Sequence, residues 1–190
     1  MKTLVVGLGN PILGDDGVGW RVVEEVRRRI SDLQSSSVEK RLGIGDCEID
    51  CAALGGLSLM ERLIGCERAI VIDAIGTGQK PIGAVYHFRL DDLYDPTSGH
   101  TTAAHDVSLM TAMQIGRSLG APLPDRVDVV AIESPYVYDF SEDLTPPVGA
   151  AVPRAAELVM TLLQHPEWNE VESKDAFFDC VALRSERYSC

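Results

Sequence analysis

Apolar, β-branched runs alternate with segments of helical period along this chain. The runs cover residues 4–6, 48–54, 69–75, 84–90 and 127–132, and each is short enough for a strand. Between the first two, Val18, Val22, Val26 and Ile30 step by four with Val23 beside them. Arg21, Glu24, Glu25, Arg27 and Arg28 take the other face, so this segment predicts an amphipathic helix packed on a sheet. Comparable stripes run through Leu109, Ala112, Met113, Gly116 and Leu119, and through Val148, Val152, Ala155, Val159 and Leu162. A short helix is predicted over residues 56–63, just ahead of the strongest strand, AIVIDAI. Strand and helix in alternation predict an α/β fold: a single three-layer domain with a twisted, mostly parallel central sheet and helices on both faces. The pattern covers residues 1–164, while residues 165–190 carry no sustained period and read as a C-terminal tail.

Composition narrows the function more than the fold. At 190 residues with 45% hydrophobic and 24% charged residues, the chain has enough apolar material for one globular core. Its formal net charge of −12 repels phosphate backbones and anionic lipid surfaces, which argues against nucleic-acid and membrane partners. The five cysteines, Cys47, Cys51, Cys66, Cys180 and Cys190, form no CxxC knuckle and are odd in number, as expected of reduced thiols in a cytosol. The N-terminal apolar run is too short for a signal segment and reaches carboxylates by Asp15. These features predict a cytoplasmic protein, and a monomer is expected.

In a parallel sheet, ligands gather at the carboxyl ends of the strands, so polar residues at those points carry the candidate chemistry. The first segment is GLGNPILGDDGVG, residues 7–19, where Gly7 and Gly9 permit close backbone approach and Asp15 and Asp16 fall at the mouth of the first helix. Asp15 reads most simply as the cap of that helix, and two adjacent acids exceed what one cap requires. Asp73 ends the strongest strand after four apolar residues, where a carboxylate is costly unless paired or metal-bound. His105 stands just before a predicted helix as a ligand or proton carrier, with His100 a weaker rival in a Gly- and Thr-rich loop. HExxH, GxSxG and GxxxxGK[ST] are all absent, and Ile12 occupies the place where a dinucleotide fingerprint needs its third glycine.

Together, GLGNPILGDDGVG, AIVIDAIGTG, AAHDVSLMTAMQIG and VVAIESP with LTPPVGAAVPRAAELV resemble the hydrogenase maturation endopeptidases over residues 1–164. The resemblance implies a phosphorylase/hydrolase-like fold and a peptidase that removes the C-terminal extension of a nickel–iron hydrogenase large-subunit precursor after nickel insertion. It implies that Asp16, Asp73 and His105 are both the catalytic and the metal-contacting side chains, with Gly9, Asn10 and Asp15 supporting the first loop. It also implies that nickel arrives with the precursor and that another divalent ion can occupy the site in isolation. An imidazole and two carboxylates suit such an ion and leave coordination positions open. Either a carboxylate, in an aspartic-type reaction, or a metal-polarised water could attack the peptide carbonyl. Cys51 and Leu54 stand where relatives often carry an Asp-Gly-Gly-Thr pattern. Two other readings are a peptidyl-tRNA hydrolase-like esterase, which shares the VGLGNP opening, and a nickel-dependent module that binds the precursor without cutting it.

Overall fold

The computed structural model describes residues 2–35, 46–92, 108–135 and 140–165. His100, His105, Cys180, Cys190 and the predicted tail beyond residue 165 lie outside the described residues. The elements are β1 (Thr3–Leu8), α1 (Val18–Ser35), β2 (Cys47–Ala52), α2 (Gly56–Leu63), β3 (Arg68–Ile75), β4 (Val85–Arg89), α3 (Leu109–Ser118), β5 (Arg126–Glu133) and α4 (Pro146–Gln164). Two 3-10 turns, Gly14–Gly17 and Leu90–Asp92, lie between them. All five predicted runs are strands and all four predicted helices form. The second run ends at Ala52, two residues earlier than expected, because the backbone turns at Ala53–Gly55 to start α2.

The strands form one sheet in the order β2-β1-β3-β5-β4. β1, β2, β3 and β5 are parallel, and β4 runs antiparallel along the β5 edge. Each central strand is covered on both faces, which is why it reads in sequence as a continuous apolar run instead of an alternation. Leu4, Val6, Val71, Val127 and Val129 point to the layer of α2 and α3, with Leu59, Leu63 and Met113 closing over them. Val5, Ile70, Ile72, Val130 and Ile132 point the other way, under the Val18, Val22 and Val26 stripe of α1 and under Ala155, Val159 and Leu162 of α4. The three layers match the predicted architecture.

From β1 the chain goes to β2 on one side and then to β3 on the other, so the connection reverses between β1 and β3. The carboxyl ends of these two strands therefore flank a crevice that no crossover helix fills. Among the described residues, no helix is long and apolar enough to cross a membrane. The described cysteines are free, and burial pushes the Cys47 thiol up to about 11 and the Cys51 and Cys66 thiols upward too, which keeps all three protonated at neutral pH.

Candidate active site

The first wall of the crevice is the loop between β1 and α1, and its glycines explain its shape. Gly9 has φ +109, and a Cβ there would overlap the carbonyl oxygen of Asp16. A Cβ on Gly19 would overlap the Leu8 carbonyl and come within 2.6 Å of the Ile72 carbonyl oxygen, so α1 starts pressed between the ends of β1 and β3. The packing folds the Gly14–Gly17 turn back onto the loop, and the Asp16 carboxylate accepts the Asn10 backbone N–H at 2.6 Å. Asn10 in turn accepts the Ile12 N–H at 3.2 Å through its side-chain oxygen, the short local bond of an Asx turn.

Asp15 points elsewhere. Its carboxylate accepts the Thr145 backbone N–H at 2.7 Å and the Thr145 hydroxyl at 2.8 Å, and the residue is buried. The expected cap of the first helix is thus corrected: a 3-10 turn precedes α1, Asp15 sits inside it, and its carboxylate holds the N-cap residue of α4 instead. Adjacent backbone bonds from Gly14 to Ser141 and from Ser141 to Ile12 fasten the same two loops together.

Asp73 is the sixth residue of β3 and lines a cleft with Leu8, Val71 and Ala131 on the α2–α3 side of the sheet. It is half-buried, and its Oδ1 accepts the Ala74 N–H at 2.8 Å. Burial is the dominant influence on the carboxyl, the Ala74 bond opposes it, and the nearby negative charge of Asp16 adds to it. The result is a group pushed up to about 7. Two of the three predicted site residues therefore meet at one crevice, although 57 positions apart. No cationic side chain is bonded to either carboxylate among the described residues. There is likewise no cluster of three metal-capable side chains among the described residues; the third predicted member, His105, lies outside them. Ser108, which caps α3 by accepting the Thr111 N–H at 3.2 Å, lines the same cleft as Asp73.

One residue of this rim escaped the sequence reading. Glu133 ends β5, is 1% exposed, and accepts the Thr77 hydroxyl at 2.5 Å, the Tyr86 hydroxyl at 2.6 Å and the Gly78 N–H at 2.7 Å. Three donors satisfy a buried carboxylate and tie the loop after β3 and the start of β4 to the end of β5. The Lys80 ammonium, 4.5 Å from the Tyr86 ring centre, adds a cation to the assembly. The signal was present in VVAIESP, an acid closing an apolar run, the same pattern that singled out Asp73.

A family model described as hydrogenase maturation protease matches residues 49–162. The hydrogenase expression/formation protein HupD of Bradyrhizobium diazoefficiens is 28% identical over 173 residues, covering 91% of this chain and 82% of that protein. The hydrogenase 2 maturation protease of Escherichia coli is 26% identical over 165 residues, covering 86% of this chain and 92% of its own. Among solved structures, the hydrogenase maturating endopeptidase HybD from E. coli superposes with a TM-score of 0.66 at 22% identity, over 88% of this chain and 94% of that one.

Proposed function

The chain belongs to the hydrogenase maturation protease family, and from that premise we propose that it is an endopeptidase that removes the C-terminal extension of a nickel–iron hydrogenase large-subunit precursor once nickel has been inserted. The observation that carries this reading is the pairing of Asp16 and Asp73 at the switch-point crevice with no counter-cation. Two partly buried carboxylates side by side without a counter-cation are costly to maintain, and such groups gather where a substrate supplies what the fold withholds. Nickel held by the precursor is that missing positive charge. Asp16 and Asp73 offer it oxygen donors and His105 an imidazole, and Ser108, three residues after His105 in sequence, lines the cleft beside Asp73. The nickel is therefore part of the substrate and acts as a check that the precursor is loaded. A different divalent ion can take its place in the isolated protein.

Hydrolysis adds water across the peptide bond, with the hydroxyl going to the carbonyl carbon and a proton to the leaving nitrogen. One carboxylate of the pair would take the proton from the attacking water and return it to the nitrogen while the other, with His105, holds the metal. We place the reaction in the cytoplasm, with the protein acting as a monomer. The test incubates chelator-treated enzyme with nickel-loaded and with nickel-free precursor and weighs the products by mass spectrometry. Only the loaded precursor is expected to shorten. Equal cleavage of both overturns nickel recognition, and tight binding of the loaded precursor without shortening makes the protein a binding module.

A further inference from the structure

Two loops that close against each other ahead of α4 turn large apolar side chains outward. Leu13 and Ser141 form an isolated parallel bridge: the Gly14 N–H donates to the Ser141 carbonyl at 2.7 Å and the Ser141 N–H to the Ile12 carbonyl at 3.0 Å. The bridge sets Ile12 and Phe140 side by side on neighbouring segments. Successive residues of an extended segment face opposite ways, and here Leu13 and Ser141 are half-buried while Ile12 is 47% and Phe140 84% exposed. The strap is braced as well. Asp15 takes two hydrogen bonds from Thr145, and Ser141 Oγ accepts the Asp143 N–H at 3.0 Å. The same loop reaches the crevice, because Asn10 accepts the Ile12 N–H through its side chain and donates its own N–H to the Asp16 carboxylate. Just beyond Phe140, Glu142 and Asp143 are exposed acids.

We infer that Ile12 and Phe140 form a docking surface for the body of the precursor, apart from the cleaved segment, and that it takes an apolar stretch of that partner flanked by lysine or arginine. The inference rests on the proposed peptidase reading, which supplies the partner. Single exposed apolar residues are ordinary on a protein surface. Two set side by side on a braced strap, continuous through Asn10 with the loop of Asp16, are a patch and mark an interaction. The backbone of the strap is already held, so binding there orders little beyond the side chains themselves. Glu142 and Asp143 give the partner its charge, since acids beside an apolar pair favour a cationic neighbour and repel an acidic one. Continuity with the Asp16 loop favours the precursor as the occupant: seated on the strap, it is held in a fixed relation to the carboxylate that acts on it. A second copy of this chain in the same place would stand in the way of the substrate.

The experiment uses the full-length enzyme and purified nickel-loaded precursor, with Kd read by titration and KM and kcat read from shortening. Phe140→Ser and Ile12→Ser are each expected to raise Kd and KM by about tenfold or more, the scale of a truncated interface anchor, and to change kcat far less. Phe140→Leu should restore most of the affinity. Glu142→Lys combined with Asp143→Lys should slow association by about tenfold at low salt, a difference that shrinks as salt is added. A photo-reactive benzophenone side chain at position 140 should cross-link to an apolar precursor peptide bordered by lysine or arginine. The same group at position 119, where Leu119 is 81% exposed at the end of α3, should not. Melting curves establish that the variants are folded. Should the precursor bind through Phe140 and never be shortened, the docking surface stands and the peptidase reading falls. Unchanged Kd and KM in both folded serine variants, equal cross-linking from position 119, or cross-links from position 140 to a second copy of the enzyme alone overturn the docking surface and leave the peptidase reading standing on the shortened product. A precursor neither bound nor shortened overturns both.

Discussion

Asp73 and Asp128 sit on adjacent parallel strands near opposite ends of one sheet, and the fold treats them in opposite ways. Asp128 is completely buried, yet its carboxylate accepts hydrogen bonds from Arg68 at 2.8 and 3.2 Å, from Arg126 at 2.8 and 2.9 Å, and from His87 at 3.0 Å. Burial pushes its carboxyl up, and the bonds from His87, Arg126 and Arg68 more than reverse that, holding it well below the usual carboxylate range. Arg68 also donates to the Leu162 carbonyl at 2.6 Å, so the cluster fastens the end of α4 to the sheet. Asp73 receives one backbone N–H and the negative charge of Asp16. A buried acid surrounded by its counter-charges belongs to the structure, and an acid left without them is a candidate for binding a ligand.

Replacing the uncompensated acid should separate activity from stability. Asp73→Asn is expected to cut precursor shortening by about 100-fold or more, the scale of a lost acid–base group. The melting temperature should stay level or rise, since a neutral isostere escapes the burial cost. A folded variant of full activity would collapse the contrast and make Asp73 structural.

At the other end, Asp128→Ala takes the carboxylate away from the buried Arg68 guanidinium. Urea unfolding should show a loss of about 3–5 kcal/mol, as for a broken buried ion pair. A loss below about 1 kcal/mol would mean that the cluster does not hold the sheet to α4.

The pH dependence of stability in metal-free buffer should show the two acids acting with opposite sign. Asp128 binds its proton less readily folded than unfolded, so its stabilisation is present above about 4 and is lost as the pH falls further. Asp73 binds its proton more readily folded, with its carboxyl moved from an ordinary 3.8 to about 7. Its contribution is complete below about 4 and is lost as the pH rises to about 7. Asp73→Asn should therefore flatten the stability profile between pH 4 and 7 and leave the acid limb unchanged. A persisting slope in that window would assign it to another group.

Smaller effects should follow at the two carboxylates that brace the site. Glu133→Ala removes the carboxylate shared by the Thr77 and Tyr86 hydroxyls and the Gly78 N–H, costing about 1–3 kcal/mol by thermal denaturation, whereas Glu133→Gln can still bond these groups and should cost less. Thr145→Val removes one of the two donors to Asp15 and should cost about 1 kcal/mol. Neither change should approach the loss of processing expected from Asp73→Asn, and a larger loss would move that residue from support into the chemistry.

Much of the architecture is legible in local pattern. The four-residue step from Val18 to Ile30 and the runs at residues 69–75 and 127–132 specify helix and buried strand, because period and burial are properties of neighbouring side chains. The three-layer α/β arrangement follows from their alternation, and the rule that parallel strands expose their carboxyl ends to ligands pointed to Asp15, Asp16 and Asp73, with the choice of Asp16 resting on the family resemblance. Strand direction and order were beyond reach: nothing in residues 84–90 marks β4 as the antiparallel edge, since an apolar run reads the same in either direction. The division of labour among the acids is tertiary as well. Asp15 and Asp16 are neighbours, yet one reaches Thr145, 130 positions away, and the other turns to Asn10 and Asp73. Asp73 and Glu133 each follow an apolar run near the carboxyl end of a strand, and only the fold brings Thr77, Gly78 and Tyr86 to Glu133 and leaves Asp73 beside a like charge. Sequence places a carboxylate at a strand end, but its charge state depends on partners tens of residues away, which only the folded chain brings near.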